Sequence, residues 1–185
     1  MSTVAVFGGS FNPPHLAHVL AATTVLATHA VDQLLVVPTY QHPFAKQLAS
    51  YDERVAMCEL AMAWLPGVVI SRVEEELGGE SKTLRTLTHL KDQHPDWDLR
   101  LVMGADLLAE AHKWFRFDEV KRLAPPIVLG RVGFTGEGAP FAILPNISST
   151  EVRAKIGEGK WGELASLVPR AVLDHIREKG LYGKP

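Results

Sequence analysis

The chain has 185 residues, 19 Lys and Arg against 21 Asp and Glu, a formal net charge of −2 at pH 7 and 46% hydrophobic residues. That length suits one domain with a single substantial core, expected over residues 1–185, and the near-neutral charge excludes a global cationic surface for nucleic acid or an acidic membrane. Cys58 is the single cysteine, which excludes an intrachain disulfide framework, and no apolar run nears the ~18 residues of a membrane span. No cationic leader precedes the first apolar run, so a cytoplasmic protein is expected.

In chain order, Val4 to Phe7 form an apolar run that suits a central parallel strand. Gly8 and Gly9 are expected to turn the chain and to let a ligand approach bare backbone. Pro13 and Pro14 sit just ahead of a helix, predicted over Leu16 to His29 with Val19, Leu20, Thr23 and Leu26 on its inner face. Leu34 to Val37 is a second strand, stopped by Pro38. A helix from Tyr51 to Trp64 buries Val55, Leu60 and Met62 or their neighbours, and Pro66-Gly67 ends it. Cys58 falls on that helix and is expected to be a packed thiol. Val68 to Ile70 is a third strand, and Glu74 to Gly79 reads as a solvated stretch and turn. Ser81 to His94 is a helix and Leu99 to Met103 a strand; Ile127 to Leu129 is another. A glycine-rich loop spans Gly130 to Pro140, Phe141 to Leu144 forms a short final strand, and helices close the chain. Alternating strands and helices predict an α/β fold: a doubly wound, Rossmann-like, mostly parallel sheet flanked by helices, with a C-terminal helical segment.

Two histidines give this pattern chemical content. His15 and His18, three apart, share one face of the first helical turn, where free amides and the positive dipole end favour an anion. No G-x-G-x-x-G follows the strand and no G-K-[ST] closes the turn, so the dehydrogenase fingerprint and the P-loop are both absent. Paired histidines can also bind zinc, but no third ligand is evident nearby. In open α/β sheets ligands bind at the carboxyl ends of the strands. The glycine turn, Pro38 to Lys46 and Gly104-Ala105-Asp106 all fall on that edge. Ser148-Ser149-Thr150-Glu151 opens a helical run. It is a plain N-cap, a phosphate cradle, or both.

The segment Gly8-Gly9-Ser10-Phe11-Asn12-Pro13-Pro14-His15-Leu16-Ala17-His18 resembles the nucleotidyltransferase signature with its H-x-G-H pair. Gly104-Ala105-Asp106 followed by Trp114, Ile147-Ser148-Ser149-Thr150-Glu151-Val152-Arg153, and the stretch from Leu167 to Tyr182 are similar to segments of bacterial nicotinate-nucleotide adenylyltransferases. The resemblance covers essentially the whole chain. It implies adenylyl transfer from ATP to nicotinate mononucleotide, with His15, His18, Arg153 and Lys46 acting on the phosphates. It implies ATP contacts at Gly8, Gly9, Ser10, Phe11, Gly104, Asp106, Ile147, Ser148, Ser149 and Thr150, and mononucleotide contacts at Asn12, Lys46, Lys82, Thr83 and Trp114. Mg²⁺ would bridge the ATP phosphates without a metal site in the protein, and self-association is the one protein partnership expected. Phosphates beside the histidines would favour their protonated forms.

Bland readings stand beside these: Asp106 as an N-cap, Trp114 as core, Lys46 as a solvated lysine. Four features depart from the family pattern, one of them Arg85 near a usual acidic position. Ala17 replaces a glycine, Gln41 to Lys46 matches the P-P-H-[KR] loop only loosely, and Lys82 replaces an aromatic in S-Y-T. Lys82 leaves open a nicotinate carboxylate, plain solvent, or another acceptor such as nicotinamide mononucleotide or phosphopantetheine. A non-catalytic nucleotide-binding module is the alternative from another class.

Overall fold

The computed structural model describes residues 2–41, 48–110, 114–135, 139 and 141–183. Its strands are β1 (Ser2–Gly9), β2 (Gln33–Pro38), β3 (Val68–Ile70), β4 (Trp97–Gly104) and β5 (Pro126–Leu129). They pair in parallel in the order β3-β2-β1-β4-β5. The helices are α1 (Leu16–Thr28), α2 (Tyr51–Met62), α3 (Val73–Leu77), α4 (Thr83–Gln93), α5 (Ala105–Glu110), α6 (Phe117–Leu123), α7 (Ser149–Gly157), α8 (Trp161–Leu164) and α9 (Arg170–Lys179).

Strand alternation splits the core into two layers. Ala5, Leu34 and Val36 face one side, where α1, α2 and the C-terminal helices pack; Val4, Val6, Leu35 and Val37 face the other, against α4 and α6. Both faces are covered, as a parallel sheet requires, and the doubly wound α/β expectation holds. The order reverses between β1 and β4, so their carboxyl ends, Gly9 and Gly104, flank the crevice where such sheets bind ligands.

Several local expectations fail for identifiable reasons. The inner face of α1 is Ala17, Ala21, Ala22 and Val25, while Leu20 is exposed and Thr23 points outward. Val19 and Leu26 are half-buried and pack against this core as expected, flanking the fully buried small residues. On α2, Leu60 is exposed and Met57, Cys58, Ala61 and Met62 are fully buried. The packed-thiol reading of Cys58 stands, and burial pushes that thiol well up. The acidic stretch is no solvated turn: α3 forms there, and Glu74 accepts from the Tyr40 backbone N–H (3.0 Å) and the Thr86 hydroxyl (3.0 Å). No strand forms over Phe141 to Leu144; Leu144 makes an isolated bridge to Arg131, and Phe141 is 76% exposed. A short apolar run needs a neighbour's free edge to become a strand, and here only one residue finds it.

Candidate active site

The glycines after the first apolar run do not themselves turn the chain. β1 continues through Gly8 and Gly9, and Gly8 has nothing within 4 Å of where a Cβ would stand. Its backbone is open to an approaching group. The turn comes next, at Phe11 (φ 45°) and the cis Asn12–Pro13 bond. A left-handed backbone is rare for a bulky residue. It is held here by burial of the Phe11 ring against Phe7 (centroids 5.5 Å apart) and His18 (4.9 Å).

The chain then enters α1 with His15 as the N-cap. The two imidazoles stack at 3.8 Å between centroids. The His15 backbone N–H donates to Nδ1 of His18 (3.1 Å). Because a backbone amide can only donate, Nδ1 is the acceptor and the neutral His18 ring carries its proton on Nε2. Burial, reinforced by the Arg131 guanidinium, pulls His15 from 6.5 down to about 4. Burial, then His15 and Arg131, hold His18 well below its ordinary range. Without a ligand, both rings are neutral at pH 7.

Opposite them stands the start of α7. Ser148 is a true N-cap, its hydroxyl accepting from the Glu151 N–H (3.1 Å). Ser149 donates to the Pro13 carbonyl (2.8 Å), tying this helix start to the first turn. Arg153 donates to the Asn12 carbonyl (2.7 Å) and to the Thr150 hydroxyl (3.3 Å). From the end of β4, Asp106 meets Arg131, which follows β5, at 2.7 Å. Arg131 also donates to the Ile147 carbonyl (2.6 Å). A Cβ at Gly104 would collide with the Asp106 carboxylate, so this approach requires glycine.

These groups line one open cleft of about 660 Å³. It gathers Gly8, Gly9, Ser10, Phe11, Asn12, His15, His18, Gly104, Asp106, Ile147, Ser148, Ser149, Thr150 and Arg153, all singled out from the sequence. Among its described lining residues Asp106 is the only carboxylate, against two arginines and two histidines. With the histidines neutral and Asp106 paired to Arg131, the described lining keeps a net positive charge and favours an anion.

The chain is similar to known proteins along nearly its whole length. The cytidylyltransferase-like family matches residues 6–155. A probable nicotinate-nucleotide adenylyltransferase of Anaeromyxobacter sp. strain K is 48% identical over 97% of this chain and 96% of its own. That of Myxococcus xanthus is 39% identical over 97% and 94%. The chain belongs to the nicotinate-nucleotide adenylyltransferase family. Its fold is also that of the Plasmodium falciparum nicotinic acid mononucleotide adenylyltransferase complexed with NaAD, at a TM-score of 0.82 and 18% identity over 98% of both chains.

Within this family member, the residues expected at the mononucleotide end divide. Asn12 is in the cleft, whereas Lys82, Thr83 and Trp114 are not among its described lining. Lys82 pairs with Glu80 (2.8 Å), lies over the Phe115 ring, and borders a second, shallower hollow of about 350 Å³. Thr83 opens α4, and Trp114 packs edge-on to Phe117 in the second core layer. Lys46 lies outside the described residues. Arg131 was not anticipated. The available signal was its place two residues past β5, on the same sheet edge as the other motifs.

Proposed function

We propose that the protein transfers the adenylyl group of ATP to nicotinate mononucleotide, releasing pyrophosphate and forming nicotinate adenine dinucleotide, in the cytoplasm. A phosphate oxygen of the mononucleotide forms a bond to the α-phosphorus, and the bond from that phosphorus to the bridging oxygen of pyrophosphate breaks. The attacking phosphate is already an anion, so no protein nucleophile is required. The chain's task is alignment and charge stabilisation.

The observation that carries this reading is the stacked pair His15 and His18 facing the Ser148 to Arg153 helix start across one cationic cleft. A triphosphate entering it offsets the desolvation that holds His15 neutral, so that imidazole becomes a charged donor when the ligand arrives, while the Nδ1 of His18 goes on accepting from the His15 amide. His18 presents Nε2–H, the arginines supply permanent charge, and the free amides of α7 complete the cradle. Among the described residues no group of three or more His, Cys, Asp or Glu is placed to hold a metal. Asp106 is already engaged by Arg131. The same proposal puts Mg²⁺ on the ATP, held by phosphate oxygens and water.

The deciding experiment is pyrophosphate release from Mg-ATP with nicotinate or nicotinamide mononucleotide. Faster release with the acid is expected. No release with either acceptor, despite measurable ATP binding, would overturn the assignment.

A further inference from the structure

Residue 12 is gripped from three distant parts of the chain. Arg153 of α7 donates to its backbone carbonyl (2.7 Å). Its side-chain oxygen accepts two bonds, from the Ala49 backbone N–H (3.0 Å) and from the Tyr182 hydroxyl (2.8 Å). The Ala49 amide can only donate, so the atom between these donors is the carboxamide oxygen and the orientation is unambiguous. Among the described residues the amide nitrogen is buried with no partner. Every side-chain bond that position 12 makes with the described residues is thus through an acceptor oxygen.

A second clamp closes the same ring. The buried Arg54 donates through Nε to the Ala49 carbonyl (3.0 Å) and through Nη1 to the Ser10 carbonyl (3.0 Å). The turn that delivers His15 is consequently bound to the entrance of α2 on both sides. Tyr182 is the one member contributed by the C-terminal tail. Gly180 caps α9 in a left-handed conformation, the Leu181 N–H returns to the Ile176 carbonyl (3.0 Å), and Tyr182 follows at φ 62°. A left-handed backbone at a bulky aromatic persists where its surroundings impose it. Burial pushes the phenol well above its ordinary range, so it remains a donor at any working pH.

We infer that Tyr182 is a positioning residue of the active site: with the Ala49 amide it fixes the Asn12 oxygen, and through it the turn that places His15 and His18. The tail, 170 residues away in sequence, is then part of the catalytic apparatus without touching substrate.

This rests on the adenylyl-transfer reading, and the test separates the two. Turnover and the melting temperature are measured for the wild type, Tyr182→Phe, Asn12→Ala, Asn12→Asp and the Tyr182→Phe/Asn12→Ala double variant. ATP affinity is followed by calorimetry in parallel. Tyr182→Phe is expected to lower kcat/KM about tenfold, the worth of one hydrogen bond to a buried polar group. Asn12→Asp, which keeps the acceptor oxygen but adds a negative charge in the cleft, is read on stability alone and is expected to recover part of the melting temperature that Asn12→Ala loses. The double variant is expected to be no slower than Asn12→Ala, because the hydroxyl has nothing left to position. Wild-type kcat/KM in Tyr182→Phe, or losses that multiply in the double variant, would overturn the inference. A wild type that binds ATP without turnover breaks the function reading instead, and the same cycle is then scored on affinity.

Discussion

Two helix starts face each other across the cleft, and they hold charge in opposite ways. At α1 the charge is conditional: buried His15 stacks on half-buried His18, and the pair is neutral until an anion arrives. At α7 it is permanent: a serine cap, free amides and the Arg153 guanidinium, with Arg131 joined to the same end through Ile147. Permanent charge attracts a triphosphate at any pH. Conditional charge responds to where that triphosphate sits, so it adds most where phosphate is closest. The pair thus divides attraction from discrimination, since interactions that strengthen towards the transition state are the ones that accelerate the reaction.

The comparison breaks most visibly at His18. His18→Ala removes the Nε2–H donor fixed by the His15 amide, and kcat is expected to fall about 10²- to 10³-fold, the loss typical of one transition-state donor. Steady-state pyrophosphate release measures it. A fall of similar size in both kcat and kcat/KM would place the contact in the transition state alone.

Next comes the acid response. His15 lies at about 4 in the folded chain against an ordinary 6.5, so between those values the unfolded chain binds a proton that the folded chain refuses. Stability therefore rises with pH through that window and falls on acidification, by about 3 kcal/mol for the full displacement at about 1.4 kcal/mol per unit. His15→Gln should lose correspondingly less stability on acidification, as read by denaturant titration at pH values across the window. An identical acid slope in the variant would remove the conditional-charge picture. The same linkage predicts proton uptake when ATP binds, visible as a buffer-dependent binding enthalpy.

Arg131 tests the permanent side. Arg131→Met leaves Asp106 and the Ile147 carbonyl without their donor, and a cost of about 2 kcal/mol in stability is expected for charge-assisted bonds. It also removes a positive neighbour from both imidazoles, so their titration, followed by proton NMR, should move upward.

Arg131 also shows where sequence reading stops. The five strands were legible because each is a short apolar run, Val4 to Phe7 first among them, bounded by glycine or proline. The cleft was legible wherever a motif combined residue type with strand-end position, as at His15, Asp106 and Ser148. Arg131 belongs to no motif; its role depends on Asp106 lying 25 residues upstream across the β4–β5 pairing. The α1 face was assigned correctly at Val19 and Leu26 but wrongly at Leu20 and Thr23. Ala17, Ala21 and Ala22 face inward there, and alanine carries little periodic signal. The clip from Tyr182 to Asn12 is tertiary in origin and invisible to any local pattern.

The smallest expected effect is at the cap. Ser148→Ala deletes the oxygen that accepts from the Glu151 N–H and should cost about 1 kcal/mol of stability, a shift readable by thermal or chemical denaturation. Its value lies in what a ligand does to that number. If the α7 start is an anion cradle as well as a capped helix, bound ATP offers the freed Glu151 amide a phosphate oxygen in place of the serine hydroxyl. The gap between variant and wild type should then narrow when stability is measured at saturating ATP. A gap that is unchanged or wider with ATP would mean that the cap and the cradle use different amides, and the permanent-charge side of the cleft would rest on its two arginines.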